Sequence, residues 1–193
     1  MSRWLCTLLL ACAASAQAAP SSNSYDDVDR LIAEKGLITR FEDVGHKVAD
    51  KAKNVADNAS NLVSNALGFL GVPYKRGGST AETGFDCSGF VRAMYEQTVG
   101  LLLPRRADQQ AAATQVIDKK ELQPGDLVFF NTMRRNFSHV GIYVGEGKFI
   151  HSPRSGTQVR IDDMSMSYWA RRFTGARRVQ ETQTVANAPS AKQ

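Results

Sequence analysis

Cysteine is scarce in this chain: its 193 residues hold only Cys6, Cys12 and Cys87. No two of them form a C-x-x-C pair, and the three histidines form no H-x-x-x-H pair. Those short-range pairs are the usual sequence mark of a metal site, and their absence weighs against one. No Lys/Arg-rich cluster alternates with aromatic residues, so the net charge of +5 does not point to nucleic acid. No apolar run reaches the ~20 residues that a membrane-spanning helix needs. No internal repeat is present. With 42% hydrophobic and 22% charged residues the composition is that of a globular protein. The length allows one domain with a real core and is too short for two full ones.

What is present begins with an export signal. "MSRWLCTLLLACAASAQAAP" carries one arginine, an apolar stretch from Trp4 to about Ala14, and the small-residue site Ala16-Gln17-Ala18. This pattern predicts a signal peptide over residues 1–18 and a mature start at Ala19. Two alternatives are a buried N-terminal helix and lipidation at Cys12, where the large Leu10 makes a poor lipidation motif. Removal of the signal leaves Cys87 as the one cysteine. A lone cysteine in an oxidising compartment is a reactive thiol, an intermolecular disulfide partner, or an inert packing residue.

The mature chain divides coarsely. Residues 19–25 are small and polar and are expected to be flexible. Residues 26–70 read as helical, with Val48, Ala52, Val55, Ala59, Leu62, Val63, Ala66, Leu67 and Leu70 at helix-compatible spacing. The part before about residue 58 is weakly apolar, so residues 19–58 are assigned to a start and helical extension. Gly71-Val72-Pro73 ends the helical stretch. Residues 59–179 form the expected domain, and residues 180–193 lack apolar periodicity and read as a disordered tail.

Within the domain, Asp86 can cap a helix running from Cys87 to about Val99, with Phe90, Val91, Met94 and Tyr95 facing inward. A short helix is expected around residues 107–115. A Pro-Gly turn at 124–125 precedes an apolar strand at 127–130. "HVGIYVGEGKFIHS" predicts a hairpin with strands 139–144 and 148–152 around Gly145-Glu146-Gly147. "QVRID" and "TGARRV" can add two strands. Helices followed by a mostly antiparallel sheet make an α+β fold.

The place of Cys87 favours reactivity. Free N–H groups and the helix dipole at a first turn stabilise a thiolate. Of the histidines, His46 lies on the weakly apolar helix and reads as a surface residue. His139 and His151 flank the hairpin. If the connection has an odd number of residues, both point to one face of the sheet, within reach of each other. Gly141 lies between His139 and Tyr143 on that face, where a missing side chain is expected to let the Cys87 helix approach. Val140, Ile142 and Val144 are then on the other face. One thiol and two imidazoles fit two chemistries. A cysteine hydrolase uses one histidine as base and the second to orient it. A Cys-His-His zinc site with an open position is the other.

"FDCSGFV", "LQPGDLVFF" and "HVGIYVGEGKFIHS", in this order, resemble the NlpC-type cell-wall cysteine endopeptidases over about residues 60–178. The resemblance implies a papain-like arrangement, with N-terminal helices packed on a mostly antiparallel sheet. It implies Cys87 as nucleophile, His139 as general base and His151 as the residue orienting that base. "GVPYKRGG" matches the family segment that carries a tyrosine into the site, which implies a substrate or oxyanion role for Tyr74. Asp86 and Ser88 match residues beside the nucleophile and are implied substrate contacts; from the residues alone they read as a helix cap and a first-turn residue. No metal or organic cofactor is implied. The implied substrate is a peptidoglycan stem peptide or cross-link, with D-Ala–meso-diaminopimelate favoured over D-Glu–meso-diaminopimelate. The implied protein is an exported monomer, in the periplasm of a Gram-negative bacterium. A non-catalytic wall-binding module and a thiol acyltransferase are the readings from other classes.

Overall fold

The structure is a computed structural model of the chain. It describes residues 37–180, with side chains from residue 46 onward. The expected signal peptide, Cys12, the start at 19–25 and the tail beyond Gln180 lie outside the described residues. The chain divides into two units, and the one running from Ala49 carries the sheet, the later helices and the candidate site.

Helix α1 spans Leu37–Leu67. Only its last turns are tied into the core, where Leu62 and Ala66 are buried while Val55 stays exposed. The expected apolar stripe is thus real near its end only, and residues 46–57 are all exposed. A small antiparallel pair follows, β1 (Ser79–Thr80) with β2 (Gly84–Phe85). Helix α2 spans Cys87–Val99, with Asp86 as its N-cap accepting from the Gly89 N–H. Its C-cap is Gly100 in the left-handed region (φ 71°), with its N–H donating to the Glu96 and Tyr95 carbonyls. A residue without Cβ makes that turn at no steric cost. Helix α3 (Ala107–Ala112) stops before the expected residue 115, because strand β3 (Gln115–Ile117) begins there.

The main sheet holds six antiparallel strands in the order β3-β8-β4-β5-β6-β7. They are β3, β4 (Leu127–Phe130), β5 (His139–Gly145), β6 (Lys148–His151), β7 (Arg160–Asp163) and β8 (Phe173–Arg178). The last helix, α4 (Ser167–Ala170), lies between β7 and β8 in sequence. Helices packed on a mostly antiparallel sheet are the α+β arrangement read from the sequence.

"LVFF" has no polar alternation because both faces of β4 are covered. Leu127 and Phe129 join Val140, Ile142, Ile150 and the α2 residues Phe90, Val91 and Met94 in one core. Val128 and Phe130 join Phe149, Met164 and Trp169 in a second. Each such buried side chain contributes about 1.5–3 kcal/mol by leaving water. The expected inward stripe of α2 is therefore correct, and so are Val140 and Ile142.

The role expected of Gly141 is corrected. Helix α2 packs on the Val140 and Ile142 face, not on the Gly141 face. A Cβ on Gly141 would lie 2.6 Å from the Phe149 ring and 3.1 Å from the His151 Cβ. Gly141 makes room for its cross-strand neighbours, not for the helix.

The hairpin reaches its expected parity by an unexpected route. Tyr143 pairs with Phe149, but Gly145 pairs with Lys148. The loop proper is the two residues Glu146 and Gly147, both left-handed at φ 52° and 73°. A two-residue turn alone would send His151 to the face opposite His139. Val144 sits outside the pairing as a bulge, and this extra residue returns both histidines to one face.

Candidate active site

Three elements converge at one end of the sheet. Helix α2 presents Cys87 at its first turn, strand β5 begins with His139, and β6 ends with His151. Phe85 is tied to the histidine strand by Ser152, whose Oγ donates to the Phe85 carbonyl over 2.7 Å. That bond joins the residue after His151 to the chain two residues before Cys87. Tight backbone packing fixes the helix start further: a Cβ on Gly89 would lie 2.1 Å from the Gly78 carbonyl oxygen.

The Cys87 thiol is reached by the backbone N–H groups of Val140, Ser88 and Cys87 itself. The Val140 contact places it beside the residue that follows His139. Burial, and secondarily the Asp86 charge, push the thiol up to about 11 in spite of those three donors. This corrects the expectation that helix-start placement alone yields a thiolate: desolvation of a charge outweighs a few oriented dipoles.

The two imidazoles touch. His139 Nε2 lies 2.7 Å from His151 Nδ1, and both rings are buried. Burial holds His139 well below its ordinary value of 6.5, with the neighbouring His151 adding to the effect. Burial likewise lowers His151, opposed by its hydrogen bond to Asp162. These nitrogens face each other, so they cannot both face a common metal ion. Among the described residues no group of three or more His, Cys, Asp or Glu is placed to hold one.

Beyond His151 stands a residue that sequence reasoning missed. His151 Nε2 is 3.0 Å from Asp162 Oδ2 on β7. Arg160 donates to the same carboxylate from Nε and Nη2, over 3.0 Å in each case. Burial works against the Asp162 charge, but the bonds and charges of His151 and Arg160 hold its carboxyl well below the usual range. The Trp169 indole N–H donates to Asp162 Oδ2 over 3.1 Å. Its ring also stacks on His139 and stands edge-on to His151. The pattern did carry a signal. On β7, Asp162 pairs with Phe149 and Arg160 with His151. Pairing "QVRID" beside the hairpin puts both side chains on the histidine face.

The other expected contacts divide. Asp86 acts as the helix cap and is also clamped by Arg105 from Nη1 and Nη2, over 2.9 and 2.6 Å. Its Oδ2 further accepts from the Gly77 N–H. Ser88 is buried, and its Oγ accepts from Arg105 over 3.1 Å. Both side chains are thus engaged within the protein, and Arg105 is the partner that sequence reasoning did not single out. Tyr74 is half-buried; burial first, then the charges of Cys87 and Asp86, raise its hydroxyl pKa. Tyr74 also lines an open groove of about 460 Å³ with Pro73, Gly156, Thr157, Gln158 and Arg160.

A thiol reached by the N–H of the residue after His139, and a His139 that touches a second buried imidazole, resemble the arrangement of papain-like cysteine hydrolases. The NlpC/P60 family model matches residues 71–178, and the chain belongs to that family. It is 46% identical over 119 residues to murein DD-endopeptidase MepH of Escherichia coli, covering 60% of this chain and 44% of that protein. It is also 46% identical over 111 residues to gamma-DL-glutamyl hydrolase of Bacillus subtilis, covering 57% of this chain but 27% of that protein. The chain thus spans less than half the length of these two curated relatives. The crystal structure of an NlpC/P60 family protein from Bacillus cereus aligns with a TM-score of 0.59 and 37% identity, over 62% of this chain and 39% of that one. The NlpC/p60 domain of the peptidoglycan hydrolase SagA aligns with a TM-score of 0.56 and 30% identity, over 63% of this chain and 98% of that domain.

Proposed function

We propose that this protein is a peptidoglycan endopeptidase that cleaves the D-Ala–meso-diaminopimelate cross-link, with Cys87 as nucleophile, His139 as general base and His151 orienting it. The observation that carries the reading is the 2.7 Å contact between His139 Nε2 and His151 Nδ1, beside the strand position whose next N–H reaches Cys87. The second imidazole occupies one nitrogen of the first and leaves the other for the thiol. The family and the printed activities of its relatives supply the substrate class. We place the protein outside the cytoplasm, in the periplasm, as a monomer with a signal peptide at 1–18 and the catalytic domain at 59–179. No metal or cofactor takes part in this reading.

The mechanism follows from the burial of the site. Thiol and imidazole are both neutral at neutral pH, one raised and one lowered. The proton therefore passes from Cys87 to His139 as sulfur attacks the scissile carbonyl. His139 returns it to the leaving amine, and water then releases the acyl group from Cys87. We assign the developing oxyanion to the Cys87 backbone N–H and to the Tyr74 hydroxyl, which feels the Cys87 charge. The groove beside Tyr74, with Arg160 in its wall, is where we seat an anionic stem peptide.

The cross-link is favoured over the bond within one stem by the state of Asp86. A stem peptidase that grips a free N-terminal amine needs an unpaired carboxylate at the site. Asp86, which adjoins the thiol, is filled by Arg105 and two backbone N–H groups. Purified cross-linked muropeptide dimers, incubated with the wild type and with Cys87→Ala, test the assignment by chromatography and mass spectrometry. Conversion of dimers to monomers by the wild type alone is expected. Dipeptide release with intact dimers would assign the D-Glu–meso-diaminopimelate bond instead.

A further inference from the structure

We propose that Asp162 is a positioning residue that sets the tautomers of both imidazoles, so that His139 presents an unprotonated Nδ1 to Cys87. The argument is one of donors and acceptors. An ionised carboxylate only accepts hydrogen bonds. Asp162 is ringed by donors: Arg160 reaches both of its oxygens, and the Trp169 N–H reaches Oδ2. The third group, His151 Nε2 at 3.0 Å, must then carry a proton and donate it.

His151 is buried and neutral, so with the proton on Nε2 its Nδ1 holds a lone pair. The 2.7 Å contact to His139 Nε2 is then a hydrogen bond only if His139 is the donor. His139 is neutral as well, so its second nitrogen, Nδ1, holds the free lone pair. A carboxylate two residues removed from the thiol thus decides which nitrogen of the base is ready to take the proton. When His139 takes it, the new positive charge is spread toward His151 and balanced by Asp162.

The neighbours of Asp162 hold this arrangement in place. Arg160 and Asp162 lie two apart on β7, on the face that carries His151 and Phe149. Trp169 covers His139 with its ring, centroids 5.6 Å apart and planes at 22°, so the imidazole cannot tip away from His151. None of these residues takes up the proton itself.

The test uses the full-length mature protein labelled with ¹⁵N in histidine, together with turnover of a purified cross-linked muropeptide dimer. In the wild type, imidazole ¹⁵N spectra are expected to show both rings protonated at Nε2. Asp162→Asn offers an amide that can donate to His151 Nε2 and so invert the chain. It is expected to move His139 toward the Nδ1–H form and to lower kcat about 10–100-fold, with KM within about twofold. Asp162→Glu keeps the carboxylate and is expected to retain the wild-type tautomers and more of the activity. Unchanged tautomers and kcat in Asp162→Asn would overturn the proposal, as would a loss confined to KM. If Asp162→Asn does not fold, the wild-type spectrum decides alone: a His139 proton on Nδ1 overturns the idea. The proposal rests on the hydrolase reading for its kinetic part only. The spectra need no turnover, so a protein that cleaves no muropeptide yet shows these tautomers would refute the hydrolase reading and leave the tautomer assignment standing.

Discussion

Trp169 stacks on the His139 ring at a centroid distance of 5.6 Å while its N–H donates to Asp162 over 3.1 Å. One side chain thus fixes both ends of the imidazole chain. Trp169→Phe keeps an aromatic cover and loses the hydrogen bond. We expect it to fold, to lose about 1 kcal/mol of stability, and to lower kcat about tenfold. Trp169→Ala removes a buried ring and should cost about 3–5 kcal/mol. Thermal unfolding together with kcat measurements separates the two effects. A Trp169→Phe protein with wild-type kcat would show that the N–H bond to Asp162 plays no part in turnover.

The bulge at Val144 leads to a test that needs no change of any proposed catalytic side chain. Deleting Val144 removes the unpaired residue and leaves Gly145 opposite Lys148 and Tyr143 opposite Phe149 in uninterrupted register, so His151 stays on the face of His139. The deletion removes only the local bend that the bulge gives the strand. Val144→Ala keeps the bulge and is expected to stay active. We expect muropeptide cleavage to survive in both the deletion and Val144→Ala. A deletion variant that folds but is inactive would show that the bend at the bulge, and not the shared face alone, aligns the two histidines.

Much of this was legible in the sequence, and the reasons are local. The α2 boundaries follow from Asp86 before the apolar stripe and Gly100 after Val99, both short-range signals. Strand β4 was readable from its unbroken apolar run. The shared face of His139 and His151 followed from parity, although the odd residue proved to be a bulge at Val144 and not a third loop residue. Asp162 and Trp169 were not found, because their contact with the histidines depends on pairing β6 with β7 and on where α4 lies over the sheet. Periodicity cannot supply those long-range choices. The error on Gly141 has the same root: parity tells which residues share a face, not which element covers it. The thiol pKa was misjudged because a helix start is visible in sequence while the depth of burial is not.

Burial of Cys87 sets an expectation for its reactivity. With the thiol pushed up to about 11, little thiolate exists at pH 7. An ordinary cysteine has a pKa of about 8.5. Iodoacetamide should therefore alkylate Cys87 no faster than free cysteine at pH 7, with a rate still rising above pH 9. His139→Ala should not speed it. Stopped alkylation followed by intact-mass measurement gives the profile. A fast reaction with a plateau below pH 7 would reveal a preformed thiolate–imidazolium pair and contradict the neutral-pair mechanism.

The same buried groups should bound the pH range of stability. His139 and His151 have folded pKa values below the ordinary 6.5. Below pH 6.5 the unfolded chain binds protons that the folded protein resists, so stability falls as the pH falls through that value. Asp162 adds a second loss below its ordinary 3.8, because its folded carboxyl is held lower still. Cys87 acts in the opposite sense. Its folded pKa is raised from 9.0 to about 11, so the unfolded chain releases a proton that the folded protein keeps, and stability falls as pH rises past 9. Tm should therefore be highest between about pH 6.5 and 9 and should decline on both sides. The double variant His139→Gln/His151→Gln should have a shallower decline from pH 7 to 5. Cys87→Ala should have a shallower decline from pH 9 to 11. Calorimetry across this range in matched ionic strength measures both limbs. An acid limb of unchanged slope in the double variant would mean that groups other than the buried imidazoles set the acid sensitivity of the fold.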